Sequence, residues 1–340
     1  MQFHKKRPMR LVQITHKAKG RKVALVEEPD LRLISEYGSV YELVIEALRI
    51  GGGLKQLILK NLSEELLNYD SIYGGQSNWK LLPAFDHPTD PTKLMLSGTG
   101  LTHKTSAENR QKMHQAEAEQ ELTDSMKMYL WGVEGGQAKK GEVGAQPEWF
   151  YKGNGTILKA HGEVLSIPHF GNDGGEEPEV AGIYINDLKG NPWRIGFATA
   201  NEFSDHVMER KNYLYLAPSK IRNCSLGPEL VLTDSFKEIS GTVSIIRDNK
   251  VLWEQAINTG EANMSHNLDN LEYHHFKYEN HRISGLGHIH FFGADAFSFG
   301  EKIILQENDV MTVEWNGMGR PLKNILKRQE RSDFQINTFF

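Results

Sequence analysis

From Phe150 to the C-terminus the chain reads as one strand signal after another: GEVLSIP, VAGIYIND, RIGFATANE, PELVLTD, HIHFFG, EKIIL and DVMTVEW. Short apolar or alternating runs, punctuated by Gly, Pro, Asn and Asp, predict β-strands. Helical patterns do not alternate with them, which disfavours a doubly wound parallel sheet and predicts a mostly antiparallel or mixed sheet with appended helices. GTVSIIRDNKVLWEQAIN has the form of a hairpin turning over Arg247-Asp248-Asn249-Lys250. NLDNLEYHHFKYE reads as a helix.

The segment before this is smaller in scale. MRLVQI and RKVALVEE alternate as strands, and SVYELVIEALRIG has helical spacing, with Ser39 as N-cap and Glu42 three residues on. SEELLNY repeats that theme and predicts a second helix at Ser63. LLPAFDHPTDPTK, with three prolines, marks a boundary. We therefore expect a small α+β domain over residues 1–85 and a second domain over 86–340. The second would open with a strand, KLMLSGTGLTH, running into a glycine loop. One long helix or two would follow over SAENRQKMHQAEAEQELTDSMKMYLWGVE, closed by Gly135-Gly136.

Composition narrows the classes of function. A net charge of −5 gives no reason to expect nucleic acid. No apolar run approaches the roughly 20 residues that span a bilayer, and the basic start MQFHKKRPMR reads as a solvated tail. The single cysteine, Cys224, forms no internal disulfide, reads as a small buried residue and suits a reducing cytoplasm.

The candidate chemistry begins at GGEEPEVAGIYI. In an extended segment Glu177 and Glu179 share a face. Two such carboxylates repel, and burying them is costly without a cation, so that face meets either open water or a positive charge. Asn201-Glu202-Phe203-Ser204, after the next apolar run, supplies a third acid. Three carboxylates without a thiolate make a hard oxygen site, suited to magnesium, manganese or calcium rather than zinc. SGTGLTHKT approaches a phosphate loop but places His103 where the motif needs glycine. Its useful reading is a loop that brings His103 to a site, with Thr105 or Ser106 as the N-cap of the next helix. His288-Ile289-His290 also share a face, which fits either a zinc cupin-like site or hydrogen-bonded strand histidines.

GEEPEVAGIY, GFATANEFS and SKIRNCSLGPELVL, in that order, resemble the core of the fumarylacetoacetate hydrolase superfamily, with its E-x-E pair, N-D-x-S-x-R-D segment and K-S-F…P-L-G-P segment. SGTGLTH, QPEWFYKG, NLEYHHFKY, HIHFFG and GRPLKN resemble its bacterial sugar-acid branch, the 2-keto-3-deoxy-L-arabinonate dehydratase-like proteins. The resemblance implies an α+β protein whose catalytic domain is a mixed β-sandwich or β-roll. It implies a metal, Mg2+ with Mn2+ or Ca2+ as alternatives, on Glu177, Glu179 and Glu202. Lys220 and His103 would be catalytic, and Arg110, Ser204, Gly293 and Asp295 would surround a 2-keto acid whose enolate the metal stabilises. A cytoplasmic homodimer is also implied. Glu202 stands where the family usually has aspartate, His206 and Val207 replace its arginine and second aspartate, and Ala294 replaces its threonine. Dehydration of a 2-keto-3-deoxy sugar acid, carbon–carbon hydrolysis of an acylpyruvate, and keto-acid binding without turnover all remain open at this point.

Overall fold

The computed structural model describes residues 8–114 and 122–340. The basic start and the middle of the expected long helix lie outside the described residues. The N-terminal strands are β1 (Met9–His16), β2 (Gly20–Glu27) and β3 (Asp30–Ile34), followed by helices α1 (Val40–Arg49) and α2 (Leu54–Lys60). Then come β4 (Leu62–Asn68), α3 (Tyr69–Tyr73) and β5 (Trp79–Leu81). Strand β6 (Leu94–Gly100) leads into α4 (Lys104–His114), and α5 (Asp124–Gly135) precedes β7 (Glu148–Asn154), β8 (Leu158–Lys159) and β9 (Val164–Ile167). The centre of the fold is β10 (Pro178–Asn186), β11 (Pro192–Asn201), two short helices α6 (His206–Lys211) and α7 (Leu216–Lys220), and β12 (Cys224–Leu232). The chain closes with β13 (Ile239–Arg247), β14 (Lys250–Thr259), α8 (Leu268–Phe276), β15 (Gly287–Phe291), β16 (Val310–Trp315) and β17 (Leu322–Arg328).

These strands form two sheets. The larger, of twelve strands, runs β4-β3-β2-β1-β12-β11-β10-β15-β6-β7, with β5 on β1 and β8 on β12. The smaller runs β14-β13-β16-β17-β9. Pairing is antiparallel except at β15·β6, β12·β8 and β17·β9. This is the α+β architecture of mixed sheets that the strand pattern predicts. Because β1 pairs with β12, the N-terminal strands extend the same sheet that carries β10 to β12.

Strands β10 and β12 are buried along their whole length. Burial on both faces explains their nearly unbroken apolar runs. On β10, Val180 joins the core between the two sheets, with Phe197, Val243 and Trp315. Its neighbours Ala181, Ile183 and Ile185 point the other way, into the core under α1 and α2 with Leu43 and Ile58. Helix α1 starts as expected: Ser39 Oγ accepts the Glu42 N–H at 3.1 Å, while the Glu42 carboxylate accepts the N–H of Gly38 at 3.0 Å. The hairpin turn falls as predicted, with Asp248 and Asn249 both at positive φ.

Two elements differ from expectation. SEELLNY is not a helix but strand β4, held by its register against β3, with Asp30 opposite Asn68 and Leu31 opposite Leu67. Sheet pairing overrides a helical pattern this short. EKIIL is not a strand: a 3-10 turn over Ser298–Glu301 ends with Lys302 in the left-handed region, and Ile303 and Leu305 then pack against the inter-sheet core.

Candidate active site and metal centre

The site lies where β10 and β11 meet. Pro178 and Asn201 form the last paired position. Beyond it the Glu202 N–H donates to the Glu177 carbonyl at 3.0 Å, and the Glu177 N–H donates to Asn201 Oδ1 at 3.1 Å. This continuation holds Glu177 and Glu202 opposite each other, with Glu179 two residues along the same face. Phe203 then takes a left-handed φ of 53°, and its carbonyl accepts from the ammonium of Lys152 at 2.7 Å.

Glu177, Glu179 and Glu202 each offer an oxygen within 4.8 Å of the others, and all three side chains are buried. Lys220, the last residue of α7, answers the question their proximity raises. Its Nζ lies 2.7 and 2.8 Å from the two oxygens of Glu177 and 2.7 Å from Glu202 Oε2, and donates to Ser204 Oγ at 2.9 Å. On the far side Lys152 Nζ stands 2.6 Å from Glu202 Oε1. A second layer surrounds this one. Arg110 of α4 pairs with Glu148 at 2.6 Å and with Glu209 at 3.3 Å, and Glu209 lies 3.6 Å from Lys220. His206 Nε2 is 2.9 Å from Glu177 Oε1, and its ring stacks on Phe297.

Burial and charge divide these groups. Burial alone would raise the pKa of Glu177, but Lys220 and His206 outweigh it and hold the group well below the carboxylate range. Glu179 goes the other way, raised well above it by burial and by the charges of Glu202 and Glu177. Burial opposes the charge of Lys220, yet Glu177, Glu202 and Glu209 raise its pKa, so it stays an ammonium. Glu148 is raised by burial, which its pairing with Arg110 only partly offsets. One of its oxygens, Oε2, is buried without a hydrogen-bond partner among the described residues. Glu148 stands directly opposite Gly100 across β6·β7, and a Cβ at position 100 would overlap that oxygen.

A cavity of about 20 Å3 opens between these residues, walled by Leu101, Phe150 and Phe297 and lined by Arg110, Glu209 and Lys220. That is the room of roughly one water. The donor set fits a hard divalent cation. Three buried carboxylates converge with no sulfur or nitrogen ligand among them. Among the described residues the carboxylate triad is the one group close enough to hold a metal.

The expected site residues divide as follows. Glu177, Glu179, Glu202 and Lys220 converge, and Arg110 and Gly293 join them on the cavity. Gly293, at a φ of 96°, donates its N–H to Glu179 Oε2 at 2.6 Å. Ser204 sits behind the carboxylates, donating to Glu202 Oε2 at 2.7 Å. Asp295 is outside the cavity, accepting the Asn258 N–H at 3.0 Å. His103 is not delivered to the site. It is buried, with one ring nitrogen 2.9 Å from Thr102 Oγ1 and the other 3.1 Å from Thr259 Oγ1, and burial lowers its pKa to about 4. Helix α4 begins at Lys104, and Ser106 Oγ donates back to the His103 carbonyl at 3.0 Å rather than capping the helix. His288 and His290 are bonded strand histidines: His290 contacts Ser97 and Thr99, and His288 contacts His275. Glu148, Lys152 and Glu209 were not singled out from sequence. A lysine and a glutamate in the strand EWFYKGN look like ordinary surface residues until the fold buries them.

No family model and no curated protein matches this chain. Solved structures do. A 2-keto-3-deoxyarabinonate dehydratase superposes with a TM-score of 0.71 at 18% identity, covering 95% of this chain and 100% of that one. A 2-keto-3-deoxy-D-arabinonate dehydratase complexed with magnesium and 2,5-dioxopentanoate gives 0.68 at 17% identity, with the same coverage. The chain has the fumarylacetoacetate hydrolase-like fold. A 2-hydroxyhepta-2,4-diene-1,7-dioate isomerase from Mycobacterium marinum shares this fold more distantly, with a TM-score of 0.57 at 14% identity, covering 95% of this chain and 100% of that one. Among the described residues, no helix is long and apolar enough to cross a membrane.

Proposed function

We propose that this protein is a divalent-metal-dependent lyase that removes water from a 2-keto-3-deoxy sugar acid, with a five-carbon acid as the first substrate to try. The observation that carries this reading is the buried carboxylate triad with Lys220 at its centre. It lies in a fold shared with a dehydratase complexed with magnesium and 2,5-dioxopentanoate. Loss of one water from a 2-keto-3-deoxypentonate, followed by tautomerisation, gives the composition of 2,5-dioxopentanoate.

Glu177, Glu179 and Glu202 would hold the cation, with Mg2+ first and Mn2+ or Ca2+ as alternatives; when bound, it acts as a Lewis acid toward a 2-keto acid. The chain's own groups do the rest. Lys220 is a permanent cation that neutralises charge developing on a substrate oxygen. Glu148, opposite the cavity-lining Gly100 and raised in pKa by burial, is the proton carrier: its oxygen without a partner among the described residues can take the C3 proton or return one to the departing hydroxyl. Arg110 holds Glu148 in place through the other oxygen. Leu101, Phe150 and Phe297 keep bulk water from the reacting carbons. His103, neutral and outside the cavity, has no part in this scheme.

Incubation of the protein with 2-keto-3-deoxypentonates, with Mg2+ added or chelated, followed by mass spectrometry, tests the proposal. A metal-dependent loss of 18 mass units, the mass of one water, is expected. Unchanged sugar acids together with cleavage of an acylpyruvate would overturn it.

A further inference from the structure

Among the described residues Arg110 is the one guanidinium on the cavity, and such a group ordinarily receives a substrate carboxylate by a bidentate grip. Here both of its terminal nitrogens are already taken by acids. Nη1 donates to Glu148 Oε1 at 2.6 Å, and Nη2 donates to Glu209 Oε2 at 3.3 Å. Glu209 lines the cavity itself, is almost fully buried and, despite that burial, is kept ionised by Arg110 and Lys220. Its contacts to Arg110, Ser219 and Lys220 are all long, at 3.3, 3.4 and 3.6 Å, so it retains capacity to accept a hydrogen bond from a ligand. Behind Arg110, Glu148 Oε2 is a buried acceptor with no donor among the described residues.

We infer that Glu209 is a specificity residue that admits keto acids with a neutral far end and rejects those with a second carboxylate. The inference rests on reading this site as a keto-acid lyase and adds the class of substrate it takes. The physical argument is one of charge. A second carboxylate reaching Arg110 would put three anions around one guanidinium in a site closed to water, where like charges repel strongly. A neutral end adds no charge there, and a hydroxyl on it can donate to Glu209, whose existing contacts are long. Discrimination built on buried polar groups of this kind is steeper than that of an apolar wall.

The test compares 2-oxopentanoate with 2-oxoglutarate, which share five carbons and differ only in the far carboxylate, by calorimetric titration of the Mg2+-saturated protein. The wild-type chain is expected to bind 2-oxopentanoate at least tenfold more tightly. In Glu209→Gln the preference is expected to shrink at least threefold, with 2-oxoglutarate gaining more than 2-oxopentanoate. A merely structural role for Glu209 would move both affinities together and leave the ratio unchanged, which would overturn the inference. Equal or tighter binding of 2-oxoglutarate by the wild type would overturn it without any variant having to fold. Binding of neither acid would instead bring down the keto-acid reading, and this inference with it.

Discussion

Two of the buried polar clusters in this molecule are built on opposite plans. One is the carboxylate site at the mouth of β10. The other is a group of imidazoles packed between β6, β15 and α8. There His275 Nε2 lies 3.0 Å from His288 Nδ1, Ser97 Oγ lies 2.9 Å from His290 Nδ1, and Thr99 Oγ1 lies 2.8 Å from His290 Nε2. Asn186 Nδ2 lies 3.3 Å from the remaining nitrogen of His288. These rings satisfy one another and the hydroxyls beside them, and burial keeps them neutral: the pKa values of His288 and His290 fall to about 3, and that of His275 is also well below the usual histidine value. The carboxylate site has the reverse character. Its groups are carboxylates, ammonium ions and a guanidinium rather than neutral rings, and two acids of one sequence motif, Glu177 and Glu179, are pushed in opposite directions. Neutral rings that bond one another stabilise the fold; three carboxylates converging on one point suit a bound cation.

The comparison predicts where damage to function falls. Glu148→Gln is expected to lower turnover by roughly 100- to 10,000-fold, the usual effect of losing a general acid–base group. Ser97→Ala, in the histidine cluster, is expected to leave turnover within about threefold. Steady-state rates on the same keto acid check both, and a large loss in Ser97→Ala would erase the distinction drawn above.

Acid is expected to act first on the histidine side. Buried neutral histidines whose folded pKa lies below the unfolded value of about 6.5 favour folding above that pH. Below it the unfolded chain binds protons that the folded chain refuses, so stability falls as pH drops from about 6.5 toward 3. Each such histidine costs roughly 1 kcal/mol between pH 6.5 and 5.5. Urea unfolding midpoints at pH 7.5 and 5.5 measure this. His290→Gln is expected to narrow the gap, and an unchanged gap would mean that other groups dominate.

A smaller effect is expected at Gly293. Its left-handed backbone and its N–H bond to Glu179 leave no room for a side chain, since a Cβ would overlap Thr102 Oγ1. Gly293→Ala is expected to weaken Mg2+ binding about tenfold, as loss of an outer hydrogen bond to a ligand does. Smaller again, Thr99→Val removes the partner of His290 Nε2 and is expected to cost about 1 kcal/mol of stability, read from denaturant melts, with metal affinity unchanged.

The parts of the molecule that repeat a local rule were legible beforehand. The strand succession from Phe150 apart from EKIIL, the Ser39 cap and the Arg247–Lys250 turn follow from periodicity and turn chemistry, and the structure keeps them. SEELLNY was misread because its apolar spacing suits a helix, while its pairing partner, β3, lies 28 to 38 residues away, from Ile34–Leu62 to Asp30–Asn68, and leaves no local mark. The site shows the same limit. Glu177 and Glu179 announce themselves because two acids at the head of an apolar strand conflict with burial. Glu202 follows by position. Glu148, Lys152 and Glu209 carry no such conflict in sequence; only the meeting of β7 and α6 with β10 turns them into buried charges. His103 drew attention as a histidine in a glycine loop, but Thr102 and Thr259 bind both its nitrogens, and Thr259 is 156 residues distant.

The central claim is that the carboxylate cluster is incomplete without a divalent cation. Calorimetric titration of Mg2+ into the chelator-stripped protein tests it most directly, with Glu179→Gln and Ser97→Ala alongside. The account predicts one Mg2+ per chain in the wild type and in Ser97→Ala, and at least a hundredfold weaker binding in Glu179→Gln. No binding by the wild type, or undiminished binding by Glu179→Gln, would contradict it.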